Sequence, residues 1–179
     1  MARVEPPKHR ATIKQELDGL VIAIPAKRNW VLILFLPAWL IGWSLGAANL
    51  IETARRAEWG PQHLMAPIWI GVGLWAIYYW LWNLVGKEIV TVAPTTLTIR
   101  REVLGLGRSK EFDLTQINEL RVQPFPNLYK GYWESWWGGC PIAFDYGAKT
   151  YRFGAGLDEP EAKFVLGQIR QHASVVRPL

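Results

Sequence analysis

Few residues in this sequence have the type and spacing for covalent or metal chemistry. Cys140 follows Gly138-Gly139, and a thiol there would be a nucleophile if a base activated it. The available bases are His9, His63 and His172. His63 lies between two long apolar runs and the others lie near the ends of the chain, so Cys140 reads as structural. No His, Cys or carboxylate recurs at ligand spacing, so no metal centre is expected. Gly154-Ala155-Gly156 precedes a helix but lacks the rest of a nucleotide fingerprint. A carboxylate or phosphate could meet that helix N-terminus, although Asp158 already occupies it. Asp145 alternates with Phe144 and Tyr146 and is expected to pair with Arg152 across a hairpin. With no catalytic constellation, the expectation is a non-enzymatic protein without catalytic residues, metal or cofactor.

Three groups could instead make contacts. Residues 124–139 carry Tyr129, Tyr132, Trp133, Trp136 and Trp137. So aromatic a segment would expose an apolar patch if left in solvent. It is expected to fold onto its own core, dip into a bilayer face or anchor a partner protein. Lys27, Arg28, Arg100, Arg101 and Arg108 form a candidate collar for anionic lipid headgroups. Ala38, Gly42 and Gly46 recur every four residues. Small side chains at that spacing let helix backbones approach, either within one hairpin or against another membrane protein.

The elements that position these groups begin with Trp30–Ile51 and Leu64–Gly86, two runs without a charged residue. At about 1.5 Å per helical residue, each is long enough to cross a hydrocarbon core of about 30 Å. The first is too long for a signal-peptide core and no small-residue cleavage site closes it, so it reads as an uncleaved anchor. Arg3, Lys8, Arg10, Lys14, Lys27 and Arg28 precede it. Arg55 and Arg56 lie in the short connection, 52–63. Lys87, Arg100, Arg101, Arg108 and Lys110 follow the second run. This asymmetry predicts a membrane hairpin with both termini cytoplasmic and the connecting loop on the opposite side. Pro37 is expected to kink the first span. Neither span holds an Asp, Glu, Lys, Arg or His within its membrane core, which argues against a pump, a proton-coupled transporter, a channel or an intramembrane haem. The net charge of +5 comes from basic residues interleaved with acidic ones, so no nucleic-acid partner is expected. A single cysteine allows no intrachain disulfide.

Beyond the spans the pattern changes. Ile89, Val90 and Val92, then Leu97, Ile99, Arg101 and Val103, then Phe112 and Leu114, then Ile117, Leu120 and Val122 fall in short alternating runs between glycines and a proline. Ile142, Phe144 and Tyr146 precede a Gly147-Ala148 turn, and Tyr151 and Phe153 follow it. Such runs predict an antiparallel meander, within a domain over 87–173 that ends in a helix. Within the N-terminal segment, 1–29, Leu20–Ile24 is a further candidate strand. If it pairs with the others, the hairpin is an insertion in the domain. Asp158 with Glu161 makes a capping box, Leu157 and Ala162 hold staple positions, and Ala162, Val165, Leu166 and Ile169 give a helical stripe ahead of a tail, 174–179. The expected class is a membrane α+β protein.

The segments Gly86-Lys87-Glu88-Ile89-Val90, Thr96–Arg101 through Gly107-Arg108-Ser109, Phe112-Asp113-Leu114 with Ile117, Phe144-Asp145-Tyr146-Gly147 and Tyr151-Arg152-Phe153-Gly154 carry a resemblance. The chain resembles the bacterial pleckstrin-homology-like (PH-like) membrane proteins, in which two spans accompany one such domain. The resemblance implies an antiparallel PH-like sheet or barrel capped by the C-terminal helix, and a binding or scaffold role, not an enzymatic one. With the resemblance, the hairpin is expected in a bacterial inner membrane with its loop periplasmic; the expected partners are the lipid bilayer, from the two spans, and a larger membrane protein complex, from the small-residue face of the first span and the aromatic segment. The aromatic insertion at 124–139 departs from the pattern.

Overall fold

The structure is a computed structural model that describes residues 10–16, 19–56, 60–123 and 140–176. The chain divides into two compact units, one formed by 1–27 with 86–179 and the other by 28–85.

The first unit holds eight strands among its described residues. Five form an antiparallel sheet in chain order: β1 (Thr12–Glu16), β2 (Gly19–Pro25), β3 (Lys87–Val92), β4 (Thr96–Val103) and β5 (Leu106–Asp113). β2 pairs with β3 from Leu20↔Val92 to Pro25↔Lys87, so the segment between them is an insertion into one continuous meander. The backbone N–H of Ala26 donates to the carbonyl of Gly86 at 2.9 Å and closes the ladder where the insertion begins. A 3₁₀ turn, Leu114–Gln116, leads to a second antiparallel sheet of β6 (Ile117–Val122), β7 (Ile142–Tyr146) and β8 (Lys149–Phe153). Asp113 caps that turn by accepting from the N–H of Thr115 at 2.8 Å.

The core draws on both sheets. Ile22, Ile24, Val90, Val92 and Leu97 of the first join Ile142, Phe144 and Phe153 of the second. Phe112 reaches across, with its ring edge-on to Phe144 at 5.0 Å and to Tyr151 at 4.7 Å. Strand β5 is exposed from Leu106 to Glu111. As an edge strand it carries Arg108, Lys110 and Glu111, charges that discourage pairing with a foreign strand.

Helix α3 (Glu159–Val176) closes this unit. Ala162, Val165, Leu166 and Ile169 are all buried in the core, as their spacing predicts. The carboxylate of Glu161 accepts from the N–H of Asp158 at 3.5 Å and from the N–H of Arg10 at 2.9 Å. The Arg10 guanidinium also donates to the carbonyl of Gly156, tying the start of the chain to the start of the helix.

The second unit is a pair of helices, α1 (Trp30–Arg56) and α2 (Pro61–Val85), both long and apolar enough to cross a membrane. α1 runs past Ile51, the end of the apolar run, and its last turn is held by an Arg56–Glu52 ion pair at 2.6 Å. α2 starts at Pro61, in the first-turn position where a missing N–H costs nothing. His63 serves this end of the helix: its Nδ1 accepts from the N–H of Gly60 at 3.2 Å.

Tryptophans hold the hairpin together. Trp43 and Trp69 stack at 3.9 Å and 12°. Each indole N–H donates to the other residue's carbonyl at 3.3 Å. Each ring also covers a glycine of the opposite helix. A Cβ at Gly46 would lie 3.2 Å from the Trp69 ring, and one at Gly73 would lie 3.1 Å from that of Trp43. Pro37 sits inside α1, and its missing N–H frees the carbonyl of Ile33. The indole of Trp80 donates to that carbonyl at 3.0 Å. In an apolar solvent an orphaned carbonyl is expensive, and Trp80 supplies the donor that Pro37 removes.

Candidate functional site

In the β domain, the best-organised polar group is Glu88. Period-two alternation along β3 puts it in phase with Val90 and Val92, on the buried side, where it is 0% exposed. A buried carboxylate is tolerated only when its acceptors are filled. Oε1 accepts from Nε of Arg101, its partner across the β3–β4 ladder, at 3.0 Å. Oε2 accepts from the backbone N–H groups of Gly154 and Ala155 at 2.7 and 2.8 Å. Gly154 has φ +89°, and this left-handed geometry turns successive N–H groups onto one anion. The Gly154-Ala155-Gly156 turn therefore does hold a carboxylate, and it is the protein's own. The clasp joins β3, β4 and the turn before α3.

The clasp positions a basic cavity. The Arg101 NH2 group donates to Sγ of buried Cys140 at 3.4 Å. Burial alone would lower the Arg101 pKa, but the charge of Glu88 and then the Cys140 thiol outweigh it and raise it, so the guanidinium stays charged. Arg101, Arg108, Lys110 and Arg152 line a cavity of about 150 Å³ with Ile99, Phe112 and Tyr151. The β4–β5 register sets Arg101 opposite Arg108 and Ile99 opposite Lys110. The Lys110 ammonium lies 5.7 Å from the centre of the Tyr151 ring. Arg152 donates to Oε1 of Gln123 at 3.2 Å.

The structure sorts the expected headgroup collar by strand alternation. Arg101 and Arg108 share the cavity face. Arg100 is on the opposite face of β4, paired with Glu102 at 3.0 Å and donating to the carbonyl of Gly105 at 2.8 Å. Lys87 completes that outer cluster with a 2.8 Å contact to Glu102. The Lys87 hydrogen bond, then the charges of Lys87 and Arg100, hold the Glu102 carboxyl below the usual range against the effect of burial. Lys27 packs against the Gly156 turn, and Arg28 is exposed in the hairpin unit.

The small-residue series on α1 also divides. Gly46 is covered by Trp69, whereas Gly42 has open space where a Cβ would be, and Ala38 is exposed. The expected Asp145–Arg152 pair is replaced by Asp145–Arg121. Nη1 of Arg121 donates at 2.7 Å, and the Thr150 hydroxyl donates at 2.6 Å. A register shift in β6 between Asn118 and Arg121, with Glu119 at φ +47°, sets Arg121 beside Asp145. Tyr129, Tyr132, Trp133, Trp136 and Trp137 lie outside the described residues. The segment containing them leaves from a neck closed by the N–H of Gln123 and the carbonyl of Pro141 at 2.8 Å.

Among the described residues no group of three or more His, Cys, Asp or Glu could hold a metal ion. No protein-family model, curated protein or solved structure matches the chain.

Proposed function

We propose that this chain is an accessory or scaffold protein of a bacterial inner membrane, presenting a PH-like domain at the cytoplasmic face and binding a larger membrane protein complex. In this reading α1 and α2 span the bilayer. The basic residues of 1–29 and of 87–110 lie inside, and the connection near His63 faces the periplasm. The β domain acts by contact and carries out no reaction.

The observation that carries the reading is the face that α1 leaves open. Trp43, Trp69, Gly46 and Gly73 are consumed within the hairpin. Ala38 and Gly42 are not, and they fall at helical spacing among exposed Leu34, Ile41 and Leu45. Lipid contact asks only for apolar bulk. Small residues within such a face allow a second helix backbone to come close.

A photo-crosslinking residue at position 42, introduced into the full chain in native membranes, tests this. The reading expects a discrete adduct with one membrane protein, absent when the crosslinker is moved to position 46 beneath Trp69. Adducts with lipid alone at position 42 would refute it.

A further inference from the structure

We infer that the β domain locks the topology of its own hairpin: the sheet closes only when both spans have crossed, so a folded domain is built on two crossings and never on one. The inference rests on the reading of α1 and α2 as membrane spans.

The sheet order is the first argument. β1 and β2 precede the spans, whereas β3 to β8 and α3 follow them. Yet β2 and β3 are neighbours inside one five-stranded sheet, paired from Leu20↔Val92 to Pro25↔Lys87. Among the described residues β1 has no strand partner except β2. The last rung, Pro25↔Lys87, and the bond from the N–H of Ala26 to the carbonyl of Gly86 hold the two ends of the inserted segment side by side. A single crossing would put β2 and β3 on opposite sides of a hydrocarbon core about 30 Å thick, where they cannot pair.

The core makes that separation incompatible with the fold. Ile22 and Ile24 of β2 and Val90 and Val92 of β3 are at most 1% exposed and share one cluster with Phe144, Phe153 and Ile169. On its own side, the N-terminal part would be a two-stranded ribbon, which is marginal in water. On the other side, β3 would become an open edge. Helix α3 would lose Arg10, which bonds to Glu161 and to the carbonyl of Gly156, and the Gly156 turn would lose Lys27, against which it packs. Neither fragment completes the core alone.

The spans give the third argument. α2 is the less apolar of the two and carries Pro67 inside it. Arg55 and Arg56 lie ahead of it, and positive charges there oppose transfer of the connection, while Glu52 and Glu58 count for little. The second crossing therefore has the weaker support from its own sequence. Pairing of β2 with β3 stabilises only the two-crossing state, so it shifts the insertion equilibrium towards that state. As a result, the β domain presents its surfaces only after the hairpin is in the bilayer.

The test uses the full chain in intact cells, with Lys149→Cys at the exposed start of β8 as a reporter. Cys140 also follows both spans, so either thiol reports the same compartment. A membrane-impermeant maleimide is added outside, and total thiol is read after lysis. Leu74→Asn/Ile77→Asn, at two exposed positions, weakens α2. Ile22→Asp breaks the sheet from within. Gly19→Val breaks it independently, because a Cβ there would collide with the carbonyl of Val92. Loss of protease resistance in the β domain verifies each break. The lock predicts little outside labelling for the weakened span alone. Adding either sheet change should raise that labelling about tenfold, the effect of about 1.4 kcal/mol of pairing on the insertion equilibrium. Equal outside labelling of the weakened span with and without the sheet changes overturns the lock. So does a protease-resistant β domain on chains labelled from outside. Extraction of the wild-type chain from membranes by alkaline carbonate would overturn the spanning reading, and the lock with it.

Discussion

Replacing Glu88 with alanine should cost the β domain about 3–5 kcal/mol, the range for breaking a buried ion pair by removing one partner. The carboxylate is fully buried and accepts three hydrogen bonds, from Arg101, Gly154 and Ala155. Truncation leaves the two backbone N–H groups without an acceptor, at about 1–3 kcal/mol each. The Arg101 side chain is 39% exposed, so water can reach it and its share is discounted. Glu88→Gln should fall between wild type and alanine. It keeps the volume and one acceptor, but its amide N–H₂ must face either a guanidinium or a backbone N–H. Amide hydrogen exchange on the full chain in micelles reads the loss locally. At about 1.4 kcal/mol per tenfold, exchange at Gly154, Ala155 and the β3–β4 ladder should accelerate a few hundred- to a few thousand-fold. Exchange within α1 and α2 should not change. A double cycle with Arg101→Ala should be strongly non-additive. An acceleration below tenfold at Gly154 and Ala155 would refute the claim that Glu88 organises this end of the domain.

Leucine at Gly46 or Gly73 should force Trp69 or Trp43 aside and destabilise the hairpin by about 1–3 kcal/mol, whereas leucine at Gly42 should leave it unchanged; thermal unfolding in micelles compares them. Acid should loosen the β domain. Hydrogen bonds from Arg121 and Thr150 hold Asp145 below its ordinary pKa, as the Lys87 hydrogen bond does for Glu102. For Glu161, burial alone would raise the pKa, but the N–H groups of Arg10 and Asp158 outweigh it and lower it. A carboxyl whose folded-state pKa is depressed contributes stability that is complete above its unfolded value. That stability is lost as pH falls through the folded value. Denaturant midpoints should therefore be flat above about pH 5 and decline below about pH 4. A midpoint that rose on acidification would contradict these pairings.

The parts of the fold legible in the sequence are those with a long period of one kind. Uncharged runs mark α1 and α2, the stripe from Ala162 to Ile169 marks α3, and Leu20–Ile24 marks β2. β1 is not legible because it is an edge strand whose only half-buried residue is Ile13, so no alternation is written into Thr12–Glu16. Glu88 carries a signal of a different kind. It is in phase with Val90 and Val92, and a carboxylate in core phase requires a buried partner set such as the Gly154-Ala155 amides. The basic collar joins cations expected on the cytoplasmic side of the two apolar runs, whereas alternation sends Arg100 to one face and Arg101 to the other. Arg121 could not be matched to Asp145, because the β6 bulge that aligns them is a tertiary feature. The roles of Trp43, Trp69 and Trp80 depend on the facing helix, which a single-helix pattern does not reveal.

The proposed docking of the hairpin on a larger membrane assembly is tested by purifying the full chain from its native membranes in a mild detergent, in parallel with Gly42→Ile. The expected result is recovery in fixed stoichiometry with one membrane complex at high salt, and loss of that complex in the variant while the chain itself remains folded. Recovery of the wild-type chain alone, or a complex retained unchanged by Gly42→Ile, would contradict it.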